Sequence, residues 1–289
     1  MFQRVAIIGL GLIGGSLGLA LHKAKAAQQV VGHDLGKGVS GRARKIGAID
    51  SAYNTLADTV RGADLVIFAT PVGAMRALLQ ESGPHLAPGA VVTDVASTKA
   101  QVISWAEEFL PPTVSFVGGH PMAGKEVSGV EAADADLFKN RIYCLTPTPR
   151  TRPVAIEKVS AMVEQIGARV RFLEPVEHDG QVAGVSHLPF LASIALVNPV
   201  AAGGAWADAS LLAASGFRDV SRLAAGSSEM YRDICLTNSD AIARWLDEYI
   251  DSLQALRTRI ADHDKSLSET FAEAQQVRQQ WYTARENEP

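Results

Sequence analysis

Cysteine is nearly absent from this sequence. Its 289 residues include two, Cys144 and Cys235. That is too few for a disulfide framework, and the spacing is too wide for a metal motif. Both read as ordinary buried thiols of a reducing cytoplasm, and no metal site is expected. Charge is sparse as well. Charged residues make up 20% of the chain, and 27 basic against 31 acidic residues leave a net charge of -4. Nothing in that balance suits nucleic acid or an anionic membrane surface as partner. Internal repeats and low-complexity segments are missing. So is an uninterrupted apolar run at the N-terminus. Residues 5–21 are almost wholly apolar, but five glycines punctuate them and Arg4 is the one basic residue ahead of them. A strand, a glycine turn and a helix account for that stretch better than a signal peptide.

What is present is a large supply of core, since 47% of the residues are hydrophobic. The length suggests two domains. Strands are expected at residues 4–9, 29–34, 64–70, 90–95, 114–118, 141–146 and 169–173, with helical patterns between them such as 11–23, 99–109 and 153–166. Such alternation is the signature of a parallel sheet with crossover helices. After Leu173 the period becomes helical: 176–198, interrupted only by Pro189, then 205–215, 230–236, 239–262 and a more polar 267–282. The expected fold is α/β, with a Rossmann-like dinucleotide-binding domain over residues 1–174 and an all-helical domain over 175–289. Apolar stripes in the second half exceed what a small bundle buries alone, which favours a homodimer.

Gly9-Leu10-Gly11-Leu12-Ile13-Gly14 follows the first expected strand and opens the first expected helix. In such a loop the first glycine permits the tight turn, the second admits a pyrophosphate and the third packs helix on strand. Leu12 and Ile13 begin the helix, whose free N–H groups and dipole favour phosphate. Asp34 ends the second strand, twenty positions after Gly14. A carboxylate there accepts hydrogen bonds from a ribose hydroxyl and repels a 2′-phosphate, so NAD is expected ahead of NADP. Arg42, Arg44 and Lys45 are the side chains that would answer a phosphate instead. Thr70-Pro71 and Asp94-Val95-Ala96-Ser97-Thr98-Lys99 close two further strands and should open onto the same sheet edge. Ser97 and Thr98 are equally readable as ligand contacts or as helix N-caps.

A third segment is more specific: Gly118-Gly119-His120-Pro121-Met122-Ala123-Gly124-Lys125-Glu126-Val127-Ser128-Gly129. It places a histidine in the loop leaving a strand, on the edge where open α/β sheets bind ligands. A histidine there exchanges a proton near neutral pH. Two later segments stand out, Ser186-His187-Leu188-Pro189 and Ser215-Gly216-Phe217-Arg218-Asp219-Val220-Ser221-Arg222. His187 taken alone reads as a core histidine rather than a pocket residue.

With these blocks in this order, the chain resembles the prephenate and arogenate dehydrogenases of tyrosine biosynthesis over nearly its whole length. The resemblance implies a nucleotide-binding domain followed by a helical dimerisation domain, and NAD-dependent oxidative decarboxylation of prephenate to 4-hydroxyphenylpyruvate. It makes His120 the catalytic histidine and Ser97 a serine bonded near the nicotinamide and the reacting hydroxyl. It places His187 in the substrate pocket and gives Arg222 a substrate carboxylate, with Arg218 and Asp219 organising that arginine. Glu126 matches prephenate-using members, and Tyr231 falls where some relatives have an aromatic residue near the pocket. Gly9, Gly11, Leu12, Ile13, Gly14, Asp34, Thr70 and Pro71 are the cofactor contacts. Three other readings remain. One is an arogenate or dual-specificity cyclohexadienyl dehydrogenase. Another is a different hydroxyacid dehydrogenase or imine reductase, which shares the glycine loop without the His-Pro-Met-Ala-Gly block. The last is a non-catalytic NAD-binding sensor, which would be expected to have lost His120 or Arg222.

Overall fold

The structure is a computed structural model that describes residues 1–125 and 127–286. Its contacts divide the chain into two compact units, Met1–Ile242 and Ala243–Pro289.

The first unit is built on an eight-stranded sheet: β1 (Phe2–Ile8), β2 (Ala27–His33), β3 (Ser51–Ala52), β4 (Leu65–Phe68), β5 (Val91–Asp94), β6 (Ser115–Pro121), β7 (Ile142–Thr146) and β8 (Arg169–Phe172). The strand order is β3-β2-β1-β4-β5-β6-β7-β8. The first six strands have the doubly wound dinucleotide-binding order, whose switch point lies between β1 and β4. Successive side chains of a strand point to opposite faces. Val5 and Ile7 of β1 therefore join a layer with α1 (Leu12–Lys23), α2 (Val39–Lys45) and α6 (Pro153–Gln165). Ala6 and Ile8 join the opposite layer with α3 (Leu56–Val60), α4 (Val72–Ser82) and α5 (Ala100–Phe109). Burial on both faces explains why these strands read as continuous apolar runs rather than alternating ones.

All seven expected strands are present. β3 is additional, and its two residues are too short to leave a pattern. The all-parallel expectation fails at one place. β7 runs antiparallel to β6, pairing Gly118 with Thr146 and His120 with Cys144. That pairing extends β6 three residues beyond the expected end at 118, so His120 lies within the strand and not in the loop after it.

The helical part of this unit comprises α7 (Pro175–Val182), a π-helical turn (Ala183–His187), α8 (Leu188–Ala202), α9 (Trp206–Leu212), α10 (Ser215–Ser221), a 3-10 turn (Arg222–Ala225) and α11 (Ser228–Thr237). The single helix expected over 176–198 is thus divided by the π turn. Pro189 follows the π turn, in the first turn of α8. The helix expected over 205–215 ends at Leu212, because Ala213 and Ala214 take extended backbone before α10 begins. The second unit holds the greater part of α12 (Ser239–Ala261) and α13 (Leu267–Glu286). Arg259 ties the turn between these helices, bonding Asp264 at 2.8 Å and Ser266 at 2.7 Å. The Ser266 hydroxyl and Arg259 hold the Asp264 carboxyl at about 2.

Candidate active site

Three strand ends and the first helix meet at the switch point. Gly9 has φ of +90°, a conformation that favours glycine. A side chain on it would strike the Ala69 carbonyl, and one on Gly14 would strike Gly9 itself. Gly11 differs, since a methyl group there would meet nothing within 4 Å. That leaves open space in front of the start of α1, where the free N–H groups of a helix end suit an anion. Asp34 follows β2 and is fixed by two backbone donors, Leu10 N–H and Gly36 N–H, each at 2.7 Å. Each carboxylate oxygen keeps a further lone pair for a ribose hydroxyl. Arg42 is bound to Glu131 at 2.5 Å, which draws it toward a carboxylate of the protein. Thr70 donates to the Met75 sulfur, and Pro71 precedes α4.

Beyond Val117, β6 loses β5 as a neighbour and is paired only by β7. Two side chains take over on the β5 side. Asp94 Oδ1 accepts the Gly119 N–H at 3.0 Å, and Lys99 Nζ donates to the Gly119 carbonyl at 2.5 Å and to Asp94 Oδ2. Both side chains are fully buried. Burial pulls the Lys99 ammonium below the ordinary lysine value, and Asp94 pulls it back. The strand that carries His120 is therefore clamped on both sides, by a ladder and by a buried ion pair.

His120 is 8% exposed. Its Nδ1 lies 2.9 Å from Nε2 of His178, whose Nδ1 lies 2.9 Å from Asp179 Oδ1. Asp179 also accepts the N–H groups of Lys99 and Ala100 at 2.7 and 2.9 Å. It thereby caps α5, the task expected of Ser97 or Thr98. Thr98 instead bonds Thr237 of α11 at 2.9 Å. His178 and Asp179 escape sequence reading because a His-Asp pair early in a helix has no distinctive pattern. Their partner His120 lies 58 residues away.

A cleft of about 380 Å3 is lined by Ser97, Gly124, His187, Phe190 and Tyr231; His120 does not line it, and Asn238 joins the two, donating to the Asp179 carbonyl at 2.9 Å and lying 3.3 Å from His187 Nδ1. Tyr231 stacks on Phe190 with ring centres 3.9 Å apart and donates its hydroxyl to the Leu223 carbonyl at 2.8 Å. His187 is 1% exposed and its Nε2 has no partner. Asn238 Nδ2 donates to its Nδ1 at 3.3 Å, which leaves the proton on Nε2. An unpaired buried donor costs about 1–3 kcal/mol, so a ligand acceptor is the natural partner. The structure thus brings Ser97, His187 and Tyr231 to one cleft. Arg222 begins the exposed 3-10 turn, and the next residue, Leu223, lines the cleft. Arg218 and Asp219 pair with each other on the surface at 2.9 Å. Glu126 lies outside the described residues. Cys144 is buried in β7, and Cys235 is half-buried.

Burial lowers the His120 pKa well below the ordinary histidine value, with His178, Lys99 and His187 adding to it, and lowers that of His187 to about 4. The unfolded chain takes up these protons near pH 6.5, before the folded chain does. The stability these two neutral histidines contribute is therefore fully present above about pH 6.5 and is lost as the pH drops toward 4. The His187 shift alone amounts to about 3 kcal/mol. Replacing His187 with Gln should flatten the decline in urea midpoint between pH 7 and pH 4. Identical slopes for the two proteins would show that His187 is not buried in neutral form.

Comparison with known proteins matches this architecture to one family across both parts. Residues 17–172 match the prephenate dehydrogenase nucleotide-binding domain, and residues 174–273 match the prephenate dehydrogenase dimerization domain. The chain belongs to the prephenate and arogenate dehydrogenase family. It is 36% identical to the prephenate dehydrogenase of Bacillus subtilis over 96% of this chain and 76% of that protein. It is 34% identical to the cyclohexadienyl dehydrogenase of Zymomonas mobilis over 96% of both. The solved prephenate dehydrogenase from A. aeolicus, in complex with hydroxyphenyl propionate and NAD+, superposes with a TM-score of 0.90 at 29% identity, over 97% of this chain and 98% of that one. As in other members of this family of dehydrogenases, a nucleotide-binding α/β part precedes a helical one.

Proposed function

We propose that this family member is an NAD-dependent prephenate dehydrogenase, which oxidatively decarboxylates prephenate to 4-hydroxyphenylpyruvate in tyrosine biosynthesis. The observation that carries the reading is the cleft lined by Ser97 and by His187, whose buried N–H is unpartnered and whose ring is tied through Asn238 to the buried His120–His178–Asp179 chain. Gly9, Gly11, Leu12, Ile13 and Gly14 would hold the pyrophosphate, Asp34 the ribose, and Thr70 and Pro71 the strand edge beside it. The open space at Gly11 and the anchored Asp34 carboxylate fit such a group, and the pairing of Arg42 with Glu131 favours NAD over NADP. When bound, the dinucleotide supplies the oxidant for the hydroxyl-bearing ring carbon.

The chain's own task is to position the ring and to take one proton. A neutral His120 accepts the hydroxyl proton, and its lowered pKa keeps it neutral at working pH. Ser97 orients that hydroxyl. His187 donates its Nε2–H to a substrate oxygen, and the stacked Tyr231 and Phe190 wall off water. Arg222 grips a carboxylate in a two-bond fork that lysine does not reproduce, with Arg218 beside it. Loss of CO2 then makes the ring aromatic, which supplies much of the driving force.

We further assign cofactor binding to residues 1–174 and substrate binding and dimerisation to residues 175–289, with the enzyme working as a cytoplasmic homodimer. One stretch among the described residues, Pro175–Ala202, is long and apolar enough to cross a membrane. Its π turn and His187 border the cleft, which supports reading it as a wall of the site. A dual or arogenate-preferring enzyme is the second reading, supported by the cyclohexadienyl dehydrogenase relative. The test is NADH formation by purified protein with NAD and either prephenate or arogenate. Turnover of prephenate is expected. Turnover of arogenate alone would replace the first reading with the second. NAD binding without turnover of either substrate would overturn both and favour a sensor.

A further inference from the structure

The three-residue chain His120–His178–Asp179 has a direction. Asp179 already accepts two backbone N–H groups at the start of α5 and offers acceptors only. The proton between it and His178 therefore sits on His178 Nδ1. His178 Nε2 lies 2.9 Å from His120 Nδ1, so one proton is shared between the two rings. When His178 Nε2 accepts it, His120 keeps its own lone pair on Nε2. Every link is buried: His178 is fully inaccessible and Asp179 is 4% exposed. Asp179 is held from a second side, because its carbonyl accepts Asn238 Nδ2 at 2.9 Å.

We propose that His178 and Asp179 are positioning residues for His120, fixing the tautomer in which Nε2 is the base and the orientation of its ring. This rests on His120 being the base of the reaction above. The proton leaving the substrate hydroxyl is received on Nε2 of His120. The Nδ1–H stays in place, and the charge that forms on the ring is stabilised through His178 by the Asp179 carboxylate, which itself remains unprotonated. Asn238 links the dyad to His187, since the same amide nitrogen lies 3.3 Å from His187 Nδ1. One buried network thus reaches both His120 and the cleft-lining His187.

Three full-length variants test this with NAD and whichever of prephenate and arogenate the wild type turns over. His178→Leu removes the acceptor for His120 Nδ1 and leaves Asp179 capping α5. It should lower kcat by about 10²-fold, within the range of a lost general base, with the KM for NAD unchanged. His178→Gln retains a carbonyl oxygen that accepts from His120 Nδ1 and should recover kcat to within about tenfold of wild type. Nitrogen-15 NMR of labelled histidines should find Nε2 of His120 unprotonated in the wild type and in His178→Gln, and a mixture of tautomers in His178→Leu. His120→Asn serves as the control. If His120→Asn is inactive and His178→Leu turns over like wild type with normal NAD binding, the positioning role is overturned and the base reading survives. If His120→Asn is itself fully active, both fall together. Equal losses in His178→Leu and His178→Gln, with unchanged His120 nitrogen shifts, would make His178 a packing residue and overturn the proposal.

Discussion

His120→Asn should lower kcat by about 10²–10⁴-fold, the usual worth of a general base, while the KM for NAD stays at its wild-type value. The asymmetry follows from where the side chain sits. His120 lies near the end of β6, which β4 and β5 separate from β1 and the glycine loop, so under the proposed assignment cofactor binding does not depend on it. Asparagine still donates a hydrogen bond toward His178 and causes little rearrangement in a buried cluster. What it lacks is a nitrogen lone pair of suitable basicity. The loss should therefore appear in turnover with the Tm preserved. Steady-state kinetics alongside thermal unfolding check it. Wild-type turnover in the variant would remove His120 from the chemistry.

The largest effect on stability is expected from Lys99→Met. The lysine is fully buried, and its partner Asp94 is buried with it. Removing one member of a buried pair leaves an uncompensated charge and costs about 3–5 kcal/mol. Here the damage is local as well as electrostatic. Lys99 also holds the Gly119 carbonyl, one residue before His120, where no neighbouring strand does so. The variant should unfold at a lower urea concentration and lose kcat together with stability. Adding Asp94→Asn to it should recover part of the stability, because the orphaned charge is gone while an amide oxygen still accepts the Gly119 N–H. A loss below about 1 kcal/mol, as for an exposed pair, would mean that the two side chains are not carrying the strand end.

The sheet was legible in the sequence because its strands are buried on both faces and bounded by glycine-rich turns. The exceptions are instructive. β3 is two residues long, below the length at which a pattern exists. The reversal of β7 leaves no local signature, since an apolar strand reads alike in either direction, and that reversal carries His120 into the strand. In the site, the motifs that exist as contiguous strings were visible: the glycine loop, the His-Pro-Met-Ala-Gly block and Ser-His-Leu-Pro. Arrangements assembled from separate segments were not. Asp179 caps α5 from α7, 79 or 80 residues away, and no local rule prefers that to a cap by Ser97 or Thr98. The pairing of Lys99 with the Gly119 backbone depends on where β5 stops, which is a property of the ladder and not of either residue.

The π turn Ala183–His187 has a consequence for chain length. A π turn accommodates an additional residue in a helix by closing its bonds five residues apart. Deleting one residue within it would restore ordinary winding and leave α8 in nearly its present orientation on α7, because the wide turn is what absorbs the extra residue. The damage would be local: the turn that carries Val185, Ser186 and His187 to the cleft would be redrawn, and His187 would lose its place against Asn238. The extra residue is dispensable to the helix and is needed by the cleft.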